Sequence, residues 1–79
     1  MDKKVIVYST ATCPYCTLAK NFLKEHNIPF ENVDVGQNRE KAMEMVQKSG
    51  QMGVPVLDID NEIIIGFDKQ SIMKALDLK

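Results

Sequence analysis

Apolar positions come first as a continuous run, Val5-Ile6-Val7-Tyr8, the pattern of a β-strand covered on both faces. From Pro14 the spacing lengthens. Leu18, Ala19, Phe22, Leu23 and His26 follow the i, i+3, i+4, i+7 rule, which predicts a helix with one apolar face, ended by Asn27 and Pro29. Phe30 to Val35 returns to strand character, with Val33 and Val35 on one face and Gly36 as the break. Asn38 to Ser49 reads as a second helix with Ala42, Met45 and Val46 inward, closed by Gly50. Pro55 to Asp60 and Glu62 to Gly66 predict two strands joined by a tight turn around Asp60-Asn61. Asp68 then caps a last helix whose inward stripe is Ile72, Ala75 and Leu76.

The predicted order is β-α-β-α-β-β-α over a single domain, residues 1–79. Its first half is a right-handed βαβ unit with parallel strands, and its second half is a hairpin followed by a helix. Such a set builds an α/β fold: a four-stranded mixed sheet flanked by three helices.

Composition narrows the function classes. Of 79 residues, 44% are apolar and 27% charged, with a net charge of −1, so no basic footprint for nucleic acid or an anionic membrane surface exists. The N-terminal apolar run is too short for a secretory signal, and no stretch approaches the ~20 apolar residues of a membrane span. A cytoplasmic monomer is expected. The five methionines, among them Met43, Met45, Met52 and Met73, read as core filling. Glu40, Lys41, Glu44 and Lys48 read as the solvated face of the second helix.

The chemistry lies in Cys13-Pro14-Tyr15-Cys16, which holds both cysteines of the chain at the change from strand to helix. In a reducing compartment such a pair points to catalysis or metal binding rather than to a staple, and so short a loop would gain little from cross-linking. With Cys13 at the cap and Pro14 at the first helical position, the free N–H groups of Tyr15 and Cys16 face the Cys13 sulfur. Those donors and the helix dipole favour a thiolate over a thiol, making Cys13 the nucleophile. Cys16, a turn further in, is the resolving thiol. Tyr15 is placed near the nucleophile, either lining a substrate groove or covering the core edge.

A second signal, Gly53-Val54-Pro55-Val56, opens the third strand, where a proline belongs because it cannot donate to a ladder. Cys-Pro-Tyr-Cys after a first strand, Gly-Val-Pro-Val later and Gly66-Phe67-Asp68 before the last helix resemble the glutaredoxin branch of the thioredoxin fold. The resemblance implies a dithiol oxidoreductase that reduces protein or glutathione mixed disulfides, with no bound cofactor and glutathione as reducing cosubstrate. It implies a cis Val54–Pro55 bond that sets the Val54 backbone beside Cys13. It also implies a substrate groove drawn from Thr12, Pro14, Tyr15, Val54, Pro55, Gly66, Phe67 and Asp68, with a glutathione carboxylate at the start of the last helix.

Two positions depart from that pattern. Thr10 stands where glutathione-using members carry a lysine or arginine, and Phe67 replaces the second of two glycines. The Gly-Phe dipeptide is similar to NrdH-type redoxins, which thioredoxin reductase recharges and which supply electrons to ribonucleotide reductase. The donor is therefore glutathione or thioredoxin reductase, and disulfide-containing proteins are the substrates. Metal binding ranks lower. His26 is the one histidine and lies a helix length from the cysteines. Pro14 and the bulky Tyr15 count against an iron–sulfur dimer.

Overall fold

Successive strand residues point to opposite faces, and the first strand, β1 (Val5–Ser9), uses this to serve two cores. The structure is a computed structural model and describes residues 4–51 and 53–77. Val5 and Val7 pack with Leu57 and Ile59 of β3 (Val56–Ile59) and Ile64 of β4 (Glu62–Ile65). That face is covered by Ala19, Phe22 and Leu23 of α1 (Pro14–Glu25) and by Ile72 and Ala75 of α3 (Lys69–Ala75). On the other face Tyr8 and Val56 meet Val33 of β2 (Glu31–Asp34) and Met45 of α2 (Arg39–Ser49). Two helices thus cover one face and a single helix the other.

The sheet runs β2-β1-β3-β4, with β1 parallel to β2 and the remaining pairs antiparallel. This is the predicted element order and the predicted mixed sheet. β1 runs one residue past its apolar run, while β2, β3 and β4 are shorter than predicted. Pro55 precedes β3 because it has no N–H to give, and β4 stops where Gly66 turns to a φ of 79°. In the hairpin turn Asp60 and Asn61 both take positive φ, 52° and 74°, as a two-residue primed turn requires. Asn27, at φ 56°, ends α1, and the N–H of Ile28 returns to the carbonyl of Leu23 at 2.9 Å. Among the described residues no helix is long and apolar enough to cross a membrane.

Several side chains sit elsewhere than their spacing predicts. Leu18 is 47% exposed, because the buried stripe of α1 runs through Cys16, Ala19, Phe22 and Leu23 and turns away from it. His26 is exposed at the C-cap, its ring 4.4 Å from that of Phe22, since the helix ends at Glu25. Met43 is 59% exposed rather than core filling, whereas Met45 is buried and Met73 packs on the first core. Met52 lies outside the described residues.

The solvated face of α2 also needs correction. Lys48 donates to Asp58 at 2.7 Å and to the Tyr8 hydroxyl at 2.9 Å, and that hydroxyl donates to Glu44 at 2.6 Å. Asp58 is a buried carboxylate on a central strand, and its other oxygen accepts the Asn61 N–H of the hairpin turn. A buried charge survives only with partners. Lys48 and Glu44 are therefore turned toward the sheet. The bonds to Asp58 and Tyr8 hold the lysine charged well above its ordinary range, while burial and the bond to Glu44 push the Tyr8 hydroxyl up.

Candidate active site

β1 ends at Ser9, and a short turn brings the chain to α1, closed by a hydrogen bond from Cys13 N–H to the Thr10 carbonyl at 3.4 Å. Cys13 keeps an extended backbone, φ −99° and ψ 108°, so it caps the helix instead of entering it. Its carbonyl accepts the first intrahelical bond, from Thr17 at 3.3 Å. Its sulfur accepts the Cys16 N–H at 3.1 Å. Sequence reasoning expected Tyr15 to donate as well; the structure assigns the bond to Cys16 alone. Pro14 takes the first helical position, where a missing N–H costs nothing.

One turn separates two very different thiols. Cys16 has no exposed surface, while Cys13 is partly open to solvent. Burial pushes the Cys16 thiol up to about 11, and its hydrogen bond with Cys13 adds to the rise. A hydrogen bond from the Thr10 backbone and the charge of Lys20 oppose it without cancelling it. The helix thus presents one sulfur to a partner and keeps the other protonated in the core.

The segment that carries Cys13 is uncharged. Thr12, Pro14 and Tyr15 are exposed, Tyr15 by 62%, and Leu18 continues the apolar patch one turn along α1. No charged residue occurs from Val5 to Ala19. Sequence spacing missed Leu18 as a surface residue; the one available signal was its place three residues after the exposed Tyr15.

The second cluster meets this one at the same end of the sheet. Val56 pairs with Tyr8 on one side and Ile65 on the other, so Pro55 and Gly66 lie beyond the ladder at the end where β1 finishes. The Val54–Pro55 bond is cis, as the resemblance implied, and Pro55 is buried while Val54 is partly exposed. The Gly66 N–H binds the Pro55 carbonyl at 2.8 Å, linking the two loops. Phe67 does not stand free over the groove. It is half-buried against the α1 core, edge-on to Phe22 at 6.2 Å. Asp68 caps α3, accepting from Ser71 N–H at 3.2 Å and Ser71 Oγ at 2.8 Å, and these bonds lower its carboxyl. Its own carboxylate therefore takes a donor that the resemblance left to a ligand.

A cysteine-capped helix with a buried second thiol and a cis-proline at the same sheet end is a redox constellation, and comparison gives it a family. The glutaredoxin family model matches residues 5–64. The chain belongs to the glutaredoxin family. Glutaredoxin 3 of Escherichia coli K12 is 38% identical over 75 residues, covering 95% of this chain and 87% of that one. A glutaredoxin-like 8.6 kDa protein of the rubredoxin operon of Clostridium pasteurianum is 45% identical over 71 residues, covering 90% and 95%. Among solved structures, the thioredoxin-like protein BC3987 superposes with a TM-score of 0.86 at 28% identity, covering 91% of this chain and 99% of that one. In this glutaredoxin, no group of three or more His, Cys, Asp or Glu side chains is placed to hold a metal ion among the described residues.

Proposed function

We propose that this glutaredoxin is a dithiol oxidoreductase in which Cys13 attacks and Cys16 resolves. The observation that carries this reading is the asymmetry of the pair: one sulfur at a helix N-terminus accepting a backbone N–H at 3.1 Å, the other buried and protonated. The Cys13 thiolate attacks a disulfide sulfur, and the departing thiolate takes the electron pair of the broken bond. Cys16 then attacks Cys13 in the mixed disulfide. Its proton passes to the second departing sulfur, and a Cys13–Cys16 disulfide remains. Two thiols of a reducing cosubstrate restore the dithiol and leave as one disulfide. Thr12, Pro14, Tyr15, Val54, Pro55 and Gly66 form the groove in which the substrate is aligned, with Val54 offering its backbone to an extended chain. Phe67 and Asp68 shape the groove's far wall. The setting is a reducing compartment such as the cytoplasm.

Glutathione is the cosubstrate this reading assigns, on the strength of the Cys-Pro-Tyr-Cys motif. A second reading has a specific observation behind it: Thr10 supplies no cation, and the segment around Cys13 carries no charge with which to hold a carboxylate. That favours a redoxin recharged by thioredoxin reductase and feeding ribonucleotide reductase. Following NADPH consumption with a small disulfide as acceptor separates the two. Turnover with glutathione and glutathione reductase supports the first; turnover with thioredoxin reductase alone replaces it with the second.

A further inference from the structure

α2 packs on the sheet through Met45, and the turn that follows β2, residues 35–37, lies along its side. There a groove of about 740 Å³ runs along the helix, within the ~300–1,000 Å³ typical of ligand pockets. Val35, Ala42, Met43 and Val46 give it an apolar wall and floor, and Arg39 stands at the end where α2 begins. Met43 is 59% exposed within it. Among the described residues Arg39 has no ion-pair partner.

The groove adjoins the candidate active site through Thr10. Its Gly36 lies against Thr10, so closely that a Cβ there would come within 3.6 Å of the threonine methyl. Thr10 in turn accepts the N–H of Cys13. From Arg39 to Gln47 the helix side measures about 12 Å at 1.5 Å per residue, the reach of roughly three to four extended residues.

We propose that this groove seats an extended segment of the protein whose disulfide Cys13 attacks, a segment with apolar side chains and an acidic residue set against Arg39. The inference rests on the thiol-exchange reading and names the substrate class for it. Chain continuity allows the segment to lie there: one flank of a cysteine bonded to Cys13 runs past Thr10 onto this surface while the other lies along Val54. The chemistry of the lining selects it. Apolar side chains cover Val35, Met43 and Val46, and one carboxylate answers one arginine. Glutathione has two carboxylates, an ammonium and no apolar side chain, so it would leave that wall uncovered.

The test uses acetylated nine-residue peptides with a central cysteine carried as the thionitrobenzoate mixed disulfide. Both flanks hold Leu and Glu, or Leu and Lys, or Ser alone. Attack by Cys13 on the peptide sulfur forms a Cys13–peptide disulfide and releases the coloured thionitrobenzoate anion, so the rate is read directly. The Cys16→Ser protein stops the reaction at that stage. The Leu/Glu peptide should react at least tenfold faster than the Ser peptide, with Met43→Gln removing that advantage and Arg39→Ala removing the preference for Glu over Lys. Both variants should react unchanged with the glutathione mixed disulfide. Equal rates for the three peptides overturn the proposal, as does a preference that survives Met43→Gln. So does a Met43→Gln protein that slows every disulfide alike, or one that instead splits a dimer of the chain in sedimentation. A protein that releases no colour from any probe would sink the thiol-exchange reading itself, an outcome distinct from an indifferent groove.

Discussion

The sulfur of Cys13 and the backbone nitrogen of Cys16 lie 3.1 Å apart, joined by a hydrogen bond that caps α1. The residue that buries its own thiol thereby lends its amide to the thiol that stays outside. Burial of one sulfur and the capping position of the other thus set two identical groups in different environments.

The first consequence is selective alkylation. With the Cys16 thiol pushed up to about 11, only about one molecule in 10⁴ carries its thiolate at pH 7. Brief treatment of the reduced protein with iodoacetamide should label Cys13 at least a hundredfold faster than Cys16, read by mass spectrometry of the digested chain. Equal labelling would show that Cys16 is not held in the core.

The same burial makes stability depend on pH. Cys16 is raised from 9.0 to about 11 in the fold. Above pH 9 the unfolded chain therefore loses this proton while the folded chain keeps it. The contribution is complete below pH 9 and disappears as pH rises to about 11, on the order of 2 kcal/mol. Urea denaturation of the reduced protein should show that decline, and Cys16→Ala should remove that part of it.

Under α2, Lys48 is the one cation among the described residues that is bonded to the buried Asp58. Replacing it by methionine keeps the stem and strands the carboxylate. Removing one partner of a fully buried pair costs about 3–5 kcal/mol; with the Lys48 side chain 32% exposed, Lys48→Met should cost about 2 kcal/mol. Chemical denaturation measures it. Lys48→Met with Asp58→Asn should lose less than the sum of the two single changes, since neither then leaves a charge unpaired.

Leu18 and Leu23 share a helix and a residue type but not an environment. Leu23→Ala should cost about 2–5 kcal/mol, because its side chain is fully buried. Leu18→Ala should change stability by less than about 0.5 kcal/mol. Thermal melts of the two variants check the contrast, and similar losses would return Leu18 to the core.

Much of this was legible in the chain. Val5 to Tyr8, the cysteine-proline start of α1, Asn38 and Gly50 at the ends of α2, and Asp60-Asn61 in the hairpin are local signals, each set by backbone physics within a few residues. What stayed hidden depends on contacts between distant residues. Leu18 fits the helical period as well as Leu23 does, and only the angle at which α1 lies on the sheet exposes it. Lys48 looked like surface because a charge on a helix usually is. Its partner Asp58 lies ten residues on, in a strand whose pairing brings the two together. Phe67 reads as bulk over a groove until Phe22 is seen edge-on beneath it. The groove beside α2 is formed by the turn after β2 and one side of the helix, brought together by assembly rather than marked by any motif.

We assign Cys13 as the attacking thiol and Cys16 as the resolving one. The most direct measurement mixes the reduced Cys16→Ser protein with a disulfide substrate and locates the resulting mixed disulfide by peptide mapping, alongside the disulfide reductase rate of Cys13→Ser. The mixed disulfide should accumulate on Cys13, and Cys13→Ser should have no activity. Full activity in Cys13→Ser, or an adduct found elsewhere in the chain, would overturn these roles.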